Sequence, residues 1–341
     1  MEQLEQRIQA LLNLGELLGN YKLGNPSDST LEKAVEAALA NNRWFTEASI
    51  CLMFEAWATA LTKAKLQQWL APYALPHSQP KTVALILAGN IPMVGFHDVV
   101  SVWVSGHQAV VKNSAKDPFL IPWMTHYLEA QTGVPQFRYV KEKITDFDAV
   151  IATGSNNSGR YFEYYFKDFP RIIRKNRNGI AVLSGHETQE ELLGLGRDIL
   201  QYFGLGCRNV SKIYIPKDYD LNGVFGGLYP HAAVMENNKY ANNYDYNKAV
   251  WLMSEFDFLE NGFFMIKEDT SFAAPIACLY YEYYDTIDQI KTMLQRDNEQ
   301  IQCLVSHLRL PNALPFGTAQ SPQLWEYADD VDTLKFLLEK I

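Results

Sequence analysis

The pattern of apolar and polar residues along the chain changes near residue 80. Before that point, apolar residues recur at helical spacing, as at Leu11, Leu14 and Leu18, which predicts a helical N-terminal arm. From Thr82 onward, short apolar runs alternate with helical segments, as in VALILA, AVVK, FRYV, FDAVIATG, GIAVLSG and VSKIYIP. Runs that are apolar on both faces and separated by helices indicate a mostly parallel sheet covered on both sides. The sequence therefore predicts an α/β protein with a doubly wound, Rossmann-like parallel sheet.

The composition changes again after Pro216, where the chain becomes rich in Tyr and Asn. Helical patterns over about 244–256 and 285–296, together with apolar runs at FFMI and IACLYY, predict a second, smaller α/β domain. We therefore expect a helical arm over 1–80, a Rossmann-like domain over 81–205, the second domain over 206–314, and a C-terminal segment over 315–341 that returns to the first domain.

Charge and cysteine usage exclude several classes of protein. The 341 residues carry a net charge of −9, which opposes binding to nucleic acid or to an anionic membrane, because both require a basic face. The four cysteines show no CxxC spacing and the histidines no HExxH pairing, so we expect neither a disulfide framework nor a metal site. The N-terminus lacks the features of a signal peptide, and polar residues such as Asn90 and Asp98 interrupt the longest apolar stretch, 83–111. These features predict a cytoplasmic protein without a membrane span.

The most distinctive candidate for chemistry is Cys207, in the segment YFGLGCRNV. A predicted helix runs into Gly204 and Gly206, and glycines at these positions let a ligand approach the thiol. Arg208 and Lys212 follow, and cationic groups lower the pKa of a thiol and so favour the reactive thiolate. The alternative is a small buried core residue, the usual fate of an intracellular cysteine. We favour the nucleophile, because the glycines make a poor core and Cys207 lies where the two domains are expected to meet.

Three further signals lie at predicted strand ends, where parallel sheets bind ligands. Asn90, in AGNIP, offers an uncharged N–H donor to an oxyanion. The alternative, favoured equally by the local sequence, is that its side chain caps the following helix. The turn at Gly154 and Ser155, in ATGSNNSG, offers backbone N–H groups to a diphosphate, although such turns are also common in ordinary loops. The segment 112–116, KNSAK, has no acidic residue, and its lysines suit a 2′-phosphate of NADPH; the alternative is a solvated surface loop.

In this order, the pieces resemble the aldehyde dehydrogenase superfamily, and more closely its acyl-CoA reductase branch, the LuxC-like fatty acyl reductases, from about Thr82 to the C-terminus. The resemblance implies that Cys207 in GLGC is the nucleophile and that Asn90 stabilises the oxyanion. The late PFG segment, 315–317, matches as well. The implied cofactor-binding residues are Lys112, Ser114, Gly154, Ser155, Gly159 and, as the nearest match to the late ribose-binding Glu of the family, Glu268.

One departure from the family concerns the Glu that activates water in the hydrolytic aldehyde dehydrogenases. It would precede GIAVLSG, where this chain has RIIRKNRNG and no carboxylate. That difference fits an enzyme whose acyl group arrives from a thiol, because a water-activating base would hydrolyse the thioacyl intermediate. The resemblance therefore implies an NADPH-dependent reductase. Its domain 81–205 would bind NADP, and Cys207 in 206–314 would accept a fatty acyl group from coenzyme A or an acyl carrier and release it as an aldehyde.

Two alternatives keep Cys207 as the nucleophile: an acyl-phosphate reductase of the same superfamily, and a cysteine acyltransferase or thioesterase that uses no nicotinamide. A third alternative is a non-catalytic acyl carrier. The apolar, aromatic second domain favours a long acyl chain. The sequence leaves open the length of that chain and whether the protein forms a homo-oligomer or works with an acyl-donating partner enzyme.

Overall fold

The computed structural model of the chain describes residues 2–22, 24, 28–75, 79–154 and 156–341. The chain forms two compact units. The first unit contains Met1–Lys175 and Gln323–Ile341, and the second contains Asn176–Pro322. In chain order, the second unit is therefore inserted between the two parts of the first.

Helices and strands alternate through most of the chain. The helices are α1 (Glu2–Gly19), α2 (Ser29–Asn41), α3 (Glu47–Ala60), α4 (Lys63–Leu70), α5 (Phe96–Ser105), α6 (Leu120–Thr132), α7 (Asn156–Tyr165), α8 (Gln189–Leu200), α9 (Asn222–Leu228), α10 (Asn238–Met253), α11 (Ile287–Arg296) and α12 (Thr333–Glu339). The strands are β1 (Thr82–Ile86), β2 (Gln108–Lys112), β3 (Phe137–Tyr139), β4 (Ala149–Thr153), β5 (Arg171–Arg174), β6 (Asn178–Val182), β7 (Val210–Pro216), β8 (Leu259–Glu260), β9 (Met265–Glu268), β10 (Cys278–Tyr284), β11 (Ile301–Val305) and β12 (Ala313–Leu314).

The first unit is built on a five-stranded parallel sheet with the order β3-β2-β1-β4-β5. The central residues of β1, β2 and β4 are buried on both faces, which explains why their sequences lack the alternation of a half-exposed strand. The strand order reverses at β1, because β2 lies on one side of it and β4 on the other. In sheets of this kind, ligands bind outside the carboxyl ends of the strands beside such a reversal.

Helices α1–α4 pack into the first unit and do not form a separate arm. Leu11 and Leu14 of α1 are buried in the same hydrophobic core as Phe96 and Trp103 of α5. The indole N–H of Trp103 also donates to the carbonyl of Arg7 over 3.1 Å. The helical spacing in this part of the sequence thus reflects burial against the helices of the first sheet.

The second unit is built on a seven-stranded sheet with the order β12-β11-β6-β7-β10-β9-β8, in which only β8 and β9 are antiparallel among the described strands. Ile180 of β6 and Tyr214 of β7 lie in its hydrophobic core with Ile290 of α11. The predicted class, an α/β fold with a parallel sheet and a second α/β domain, is confirmed.

The division between the units falls before β6, whereas the sequence suggested a boundary at 205/206. Backbone pairing explains the difference, because Ile180 of β6 lies opposite Lys212 of β7, and β11 pairs with the other side of β6. The segment GIAVLSG therefore belongs to the second sheet. At the other end, residues 323–341 pack in the first unit, within the segment 315–341 that was predicted to return there. The functions assigned to the two units remain predictions.

A buried ion pair joins β5 to α5 and to the C-terminal part of the first unit. Arg174 Nη2 lies 2.7 Å from Asp98 Oδ1, and both side chains are 7% exposed. The same guanidinium donates to the Ala328 carbonyl over 2.7 Å and to the Thr333 hydroxyl over 2.9 Å. Three distant stretches of sequence therefore meet at one side chain.

Candidate active site around Cys207

Cys207 lies in the loop between α8 and β7, in the second unit, and is partly exposed. The chain reaches this loop through a left-handed turn, with φ of 55° at Tyr202, 60° at Phe203 and 74° at Gly204. A left-handed backbone costs about 1–2 kcal/mol at a residue other than glycine. Such conformations persist only where their surroundings hold them in place, and they concentrate at functional sites. The turn therefore marks this loop as a constrained part of the fold.

Asn209 holds the backbone that precedes Cys207, through both its side chain and its backbone N–H. Its Oδ1 accepts from the N–H of Gly206 over 2.8 Å, and its own N–H donates to the Gly206 carbonyl over 3.0 Å. Its Nδ2 donates to the carbonyls of Asp198 and Gln201, over 3.0 and 2.9 Å, at the end of α8. Asn209 is 3% exposed. The sequence pattern did not single out this residue, although Asn commonly organises tight turns.

A second constraint comes from Asp198, which is buried in α8. Its two carboxylate oxygens accept from the N–H groups of Gly317 and Ala319, over 2.6 and 2.9 Å. Arg208, the residue after Cys207, donates from Nε to the Ala319 carbonyl. The segment 317–319, which begins at the glycine of PFG, is thus bonded both to α8 and to the loop of Cys207. Burial raises the pKa of Asp198 to about 6, although the two backbone N–H groups act in the opposite direction.

Replacing Asp198 with asparagine tests this arrangement through the pH dependence of stability. The pKa of Asp198 in the folded state, about 6, lies above its ordinary value of 3.8. Between these two pH values the folded state therefore binds more protons than the unfolded state. The free energy of unfolding falls as the pH rises through this range. Asp198→Asn lacks this titration and turns an NH₂ group towards a backbone donor. We expect the stability advantage of the wild type to shrink by about 3 kcal/mol at most between about pH 4 and pH 7, measured by urea unfolding. A difference independent of pH would contradict the shifted pKa.

Of the two cations that follow Cys207, Lys212 is engaged elsewhere. Its side chain is fully buried, and its Nζ lies 2.7 Å from Glu282 Oε2 and 2.7 Å from the Thr270 carbonyl. The charge of Lys212 is therefore compensated within the sheet, because Glu282 lies on the neighbouring strand β10. Arg208 is the cation that remains next to Cys207 in the chain, and its Nε is used to hold Ala319.

The other three cysteines have surroundings that do not favour a thiolate. Cys278 and Cys303 are buried, and burial raises the pKa of each thiol to about 12. The Cys303 thiol donates to the Arg208 carbonyl over 3.4 Å. Cys51 is partly exposed, and burial together with Glu47 raises the pKa of its thiol. These environments indicate packing roles for Cys278 and Cys303 and do not favour a nucleophile at Cys51.

The carboxyl edge of the first sheet carries three of the six predicted cofactor residues, Lys112, Ser114 and Gly154, together with Asn90. Lys112 is the last residue of β2, Gly154 follows β4, and Gly89 and Asn90 follow β1. A Cβ atom on Gly89 would lie 2.8 Å from the Cβ atom of Ser114, so the loops after β1 and β2 touch and require glycine at that point. The structure therefore places these residues at the edge where α/β sheets bind ligands.

Two of the remaining predicted cofactor residues, Gly159 and Glu268, lie elsewhere. Gly159 is inside α7, where a Cβ atom would lie 3.3 Å from Cγ of Lys175, so it packs against that side chain. Glu268 is exposed at the end of β9 in the second unit. Ser155 lies outside the described residues. The sequence thus predicts these roles, and the fold gives them no further support.

Sequence analysis also missed Asp117, which holds the loop that follows Asn90. Its buried carboxylate accepts from the N–H of Met93 over 2.9 Å and from the N–H of Leu120 over 3.3 Å. Burial raises the pKa of Asp117, and these backbone hydrogen bonds act in the opposite direction. An Asp shortly before a predicted helix is a capping signal, and that signal could have identified it.

Neither a membrane-spanning helix nor a metal-binding cluster occurs among the described residues. Their helices do not combine the length and the apolar character needed to cross a bilayer. Within the same ranges, no three His, Cys, Asp or Glu side chains are arranged to hold a metal ion.

Solved structures of aldehyde dehydrogenases share this fold. The NAD⁺ complex of an aldehyde dehydrogenase from Bacillus cereus matches with a TM-score of 0.61 and 14% identity, over 91% of this chain and 73% of that one. An NAD-dependent benzaldehyde dehydrogenase from Corynebacterium glutamicum matches with a TM-score of 0.63 and 11% identity, over 89% and 77%. Aldehyde dehydrogenase C from Pseudomonas syringae, solved as a variant with NAD⁺ and octanal, matches with a TM-score of 0.62 and 15% identity, over 85% and 70%.

No family model and no curated protein matches the sequence. At these levels of identity, the similarity to solved structures establishes the fold and leaves the reaction to be argued from the site. The chain has the aldehyde dehydrogenase fold, with a Rossmann-like unit and a second α/β unit that carries Cys207.

Proposed function

We propose that this protein is an NADPH-dependent reductase that accepts a fatty acyl group from a thioester onto Cys207 and releases it as an aldehyde. The observation that carries the proposal is the position of Cys207. It is a partly exposed cysteine on a constrained loop, held by Asn209 and Asp198, in a chain with the aldehyde dehydrogenase fold. The buried cysteines Cys278 and Cys303 are poor candidates for the same role, because burial raises the pKa of their thiols.

Reduction is favoured over aldehyde oxidation by the turn between β5 and β6. Residues 175–177 are Lys-Asn-Arg, so the segment before β6 has no carboxylate to activate water. Arg177 is used within the second unit, where it donates to the carbonyls of Asn298 and Ile301, each over 3.4 Å. Without a base for water, a thioacyl group on Cys207 survives long enough to be reduced.

Acyl transfer to Cys207 exchanges one thioester for another. The Cys207 sulfur forms a bond to the carbonyl carbon, and the π electron pair moves onto the carbonyl oxygen. Asn90 and the backbone N–H of Cys207 are proposed to donate to that oxygen. The electron pair then returns as the bond to the donor thiol breaks, and the departing thiolate takes up the proton that Cys207 lost. This exchange is close to balanced in free energy, since one thiol replaces another.

The residues at the carboxyl edge of the first sheet fit a nicotinamide dinucleotide. The N-terminal end of α7, after Gly154, offers backbone N–H groups to a diphosphate, and Lys112 offers a cation to the ribose. Ser114, which accepts from the Lys116 N–H over 3.2 Å, lies in the same loop. NADPH is proposed over NADH because 112–116 contains two lysines and no acid. When bound, the cofactor would supply the hydride, and solvent would supply one proton, so that one thioester yields one aldehyde and one free thiol and Cys207 is restored.

A fatty acyl substrate is supported by the apolar, aromatic composition of the second unit and by the octanal complex of the Pseudomonas syringae enzyme. A small cavity beside Gly204 and Asn209, lined in part by Phe203, Phe264 and Ile276, has a volume of about 20 Å³. That volume holds about one water molecule, so this cavity does not accommodate the acyl chain.

One assay distinguishes the proposed reaction from its rivals. The protein is mixed with palmitoyl-CoA and NADPH, and the nicotinamide absorbance is followed. Loss of NADPH that depends on palmitoyl-CoA supports the reductase. Loss with palmitoyl phosphate but not with the thioester would indicate an acyl-phosphate reductase. Release of coenzyme A without loss of NADPH would indicate an acyltransferase or a thioesterase.

Replacing Asn90 with alanine is expected to slow acylation of Cys207 by about 10²- to 10³-fold, the usual effect of removing one oxyanion donor. Acylation is measured as release of coenzyme A from palmitoyl-CoA in single turnover. Binding of NADPH, followed by its fluorescence, serves as the control and should be near normal. Unchanged acylation would exclude Asn90 from the oxyanion site.

A further inference from the structure

The amide of Gln320 lies against the backbone that precedes Cys207. A Cβ atom on Gly206 would lie 3.4 Å from Gln320 Oε1 and 3.6 Å from Gln320 Nε2, which are contact distances for a packed side chain. Glycine at position 206 therefore leaves the amide facing the bare backbone of the loop. Gln320 and Cys207 both belong to the second unit.

The backbone on each side of this contact is fixed. Ala319, the residue before Gln320, donates to Asp198 and accepts from Arg208, the residue after Cys207. Gly206 donates to Asn209. Two independent sets of hydrogen bonds thus place the backbone that carries Gln320 and the backbone against which its amide packs. Donors that are fixed before the reaction are the ones that stabilise a developing charge most effectively, because they do not have to reorganise.

Gln320 Nε2 is a buried donor without an acceptor in the described parts of the chain. Folded proteins pair the great majority of their buried polar groups, so an unpaired one requires an explanation. An uncharged NH₂ group packed against Gly206, the residue before the proposed nucleophile, suits the carbonyl oxygen of an acyl group, which becomes negatively charged when sulfur attacks. An amide has the further advantage that it does not lose its proton at neutral pH.

We propose that Gln320 Nε2 donates to the oxygen of the acyl group on Cys207 and so acts as a further catalytic residue for acyl transfer. This inference rests on the proposed function, since it requires an acyl substrate. The covalent step is the thioester exchange described above, in which the π electron pair moves onto the oxygen and returns as the donor thiol leaves. Gln320 contributes a hydrogen bond to that oxygen and gives up no proton.

The test compares two reactions of Cys207 in the wild type and in Gln320→Met, which has a similar volume and no donor. The first reaction is acylation by palmitoyl-CoA without NADPH, followed as released coenzyme A and as the mass of the thioacyl adduct. The second is alkylation by iodoacetamide, which attacks a saturated carbon and develops no oxyanion. We expect acylation to slow by about 10²-fold and alkylation to change little. Gln323→Met, the same substitution three residues further along, is the control and should react like the wild type in both reactions.

The possible outcomes separate the inference from the proposed function. A wild type that palmitoyl-CoA does not acylate would overturn both. A wild type that is acylated, with Gln320→Met acylated equally fast, would overturn the inference alone. If Gln320→Met slowed acylation and alkylation equally, Gln320 would only shape the loop, and its role as a donor would be rejected. Gln320→Glu, which offers only acceptors at neutral pH, should slow acylation at least as much as Gln320→Met.

Discussion

Replacing Cys207 with alanine is expected to reduce the palmitoyl-CoA-dependent loss of NADPH by more than about 10³-fold, because the reaction loses the atom that forms the covalent intermediate. The thioacyl adduct should disappear from the mass spectrum of the intact protein as well. Substrate and cofactor binding are measured separately, by calorimetry and by NADPH fluorescence, and should be largely retained. A variant with normal turnover would rule out covalent catalysis by this thiol.

A matched control for this substitution is Cys51→Ala. Cys51 is the other partly exposed cysteine, and it lies in the first unit, on α3. Its thiol pKa is raised by burial and by Glu47, so it should not form an acyl adduct at neutral pH. We expect wild-type turnover for Cys51→Ala. Activity lost in both variants would indicate damage to the fold and not loss of a nucleophile.

Replacing Arg174 with methionine is expected to lower the free energy of unfolding by about 3–5 kcal/mol, because it leaves the Asp98 carboxylate buried without its partner. The variant also removes the donors to Ala328 and Thr333. Unfolding in urea is followed by tryptophan fluorescence. This signal reports mainly on the first unit, since Trp251 is the only one of the seven tryptophans in the second.

The control for Arg174→Met is Arg171→Met, on the same strand. Arg171 pairs with Glu163 over 3.0 Å, but the two side chains are 30% and 40% exposed, so the loss should be about 1 kcal/mol or less. The double variant Arg174→Met with Asp98→Leu removes both charges and should recover part of the lost stability. Equal losses of unfolding free energy in Arg174→Met and Arg171→Met would show that burial does not increase the contribution of the Arg174–Asp98 pair to stability.

The sequence predicted the strands that are apolar on both faces, because such runs have few other uses in an α/β protein. It missed β5, where RIIR has only two apolar residues between charged ones. Arg174 occupies a buried position there because the carboxylate of Asp98 neutralises its charge. No local sequence pattern indicates that contact. The boundary between the units was also hidden, since β6 resembles the strands of the first sheet although it pairs with β7.

In the candidate site, too, some residues can be recognised from the local sequence, and others only from contacts between distant parts of the chain. Cys207 and the glycines before it form a local pattern that can be recognised from the sequence alone. The contacts of Asp198 with Gly317 and Ala319 join residues 119 and 121 positions apart, and they depend on how the whole second unit folds. Gln320 has no distinguishing neighbours in the sequence. Its interest comes from an Nε2 group that packs next to Gly206 and has no acceptor among the described residues, which only the folded structure reveals.

The order of the two units along the chain has a consequence for synthesis on the ribosome. The second unit, 176–322, is continuous, so it can complete its fold as soon as it has emerged. The first unit must wait, because the guanidinium of Arg174 has its full set of partners only once Thr333 is available. Until then, the nascent first unit contains an incompletely satisfied charge and an exposed part of its core. The first unit, and not the inserted one, is therefore expected to finish folding last.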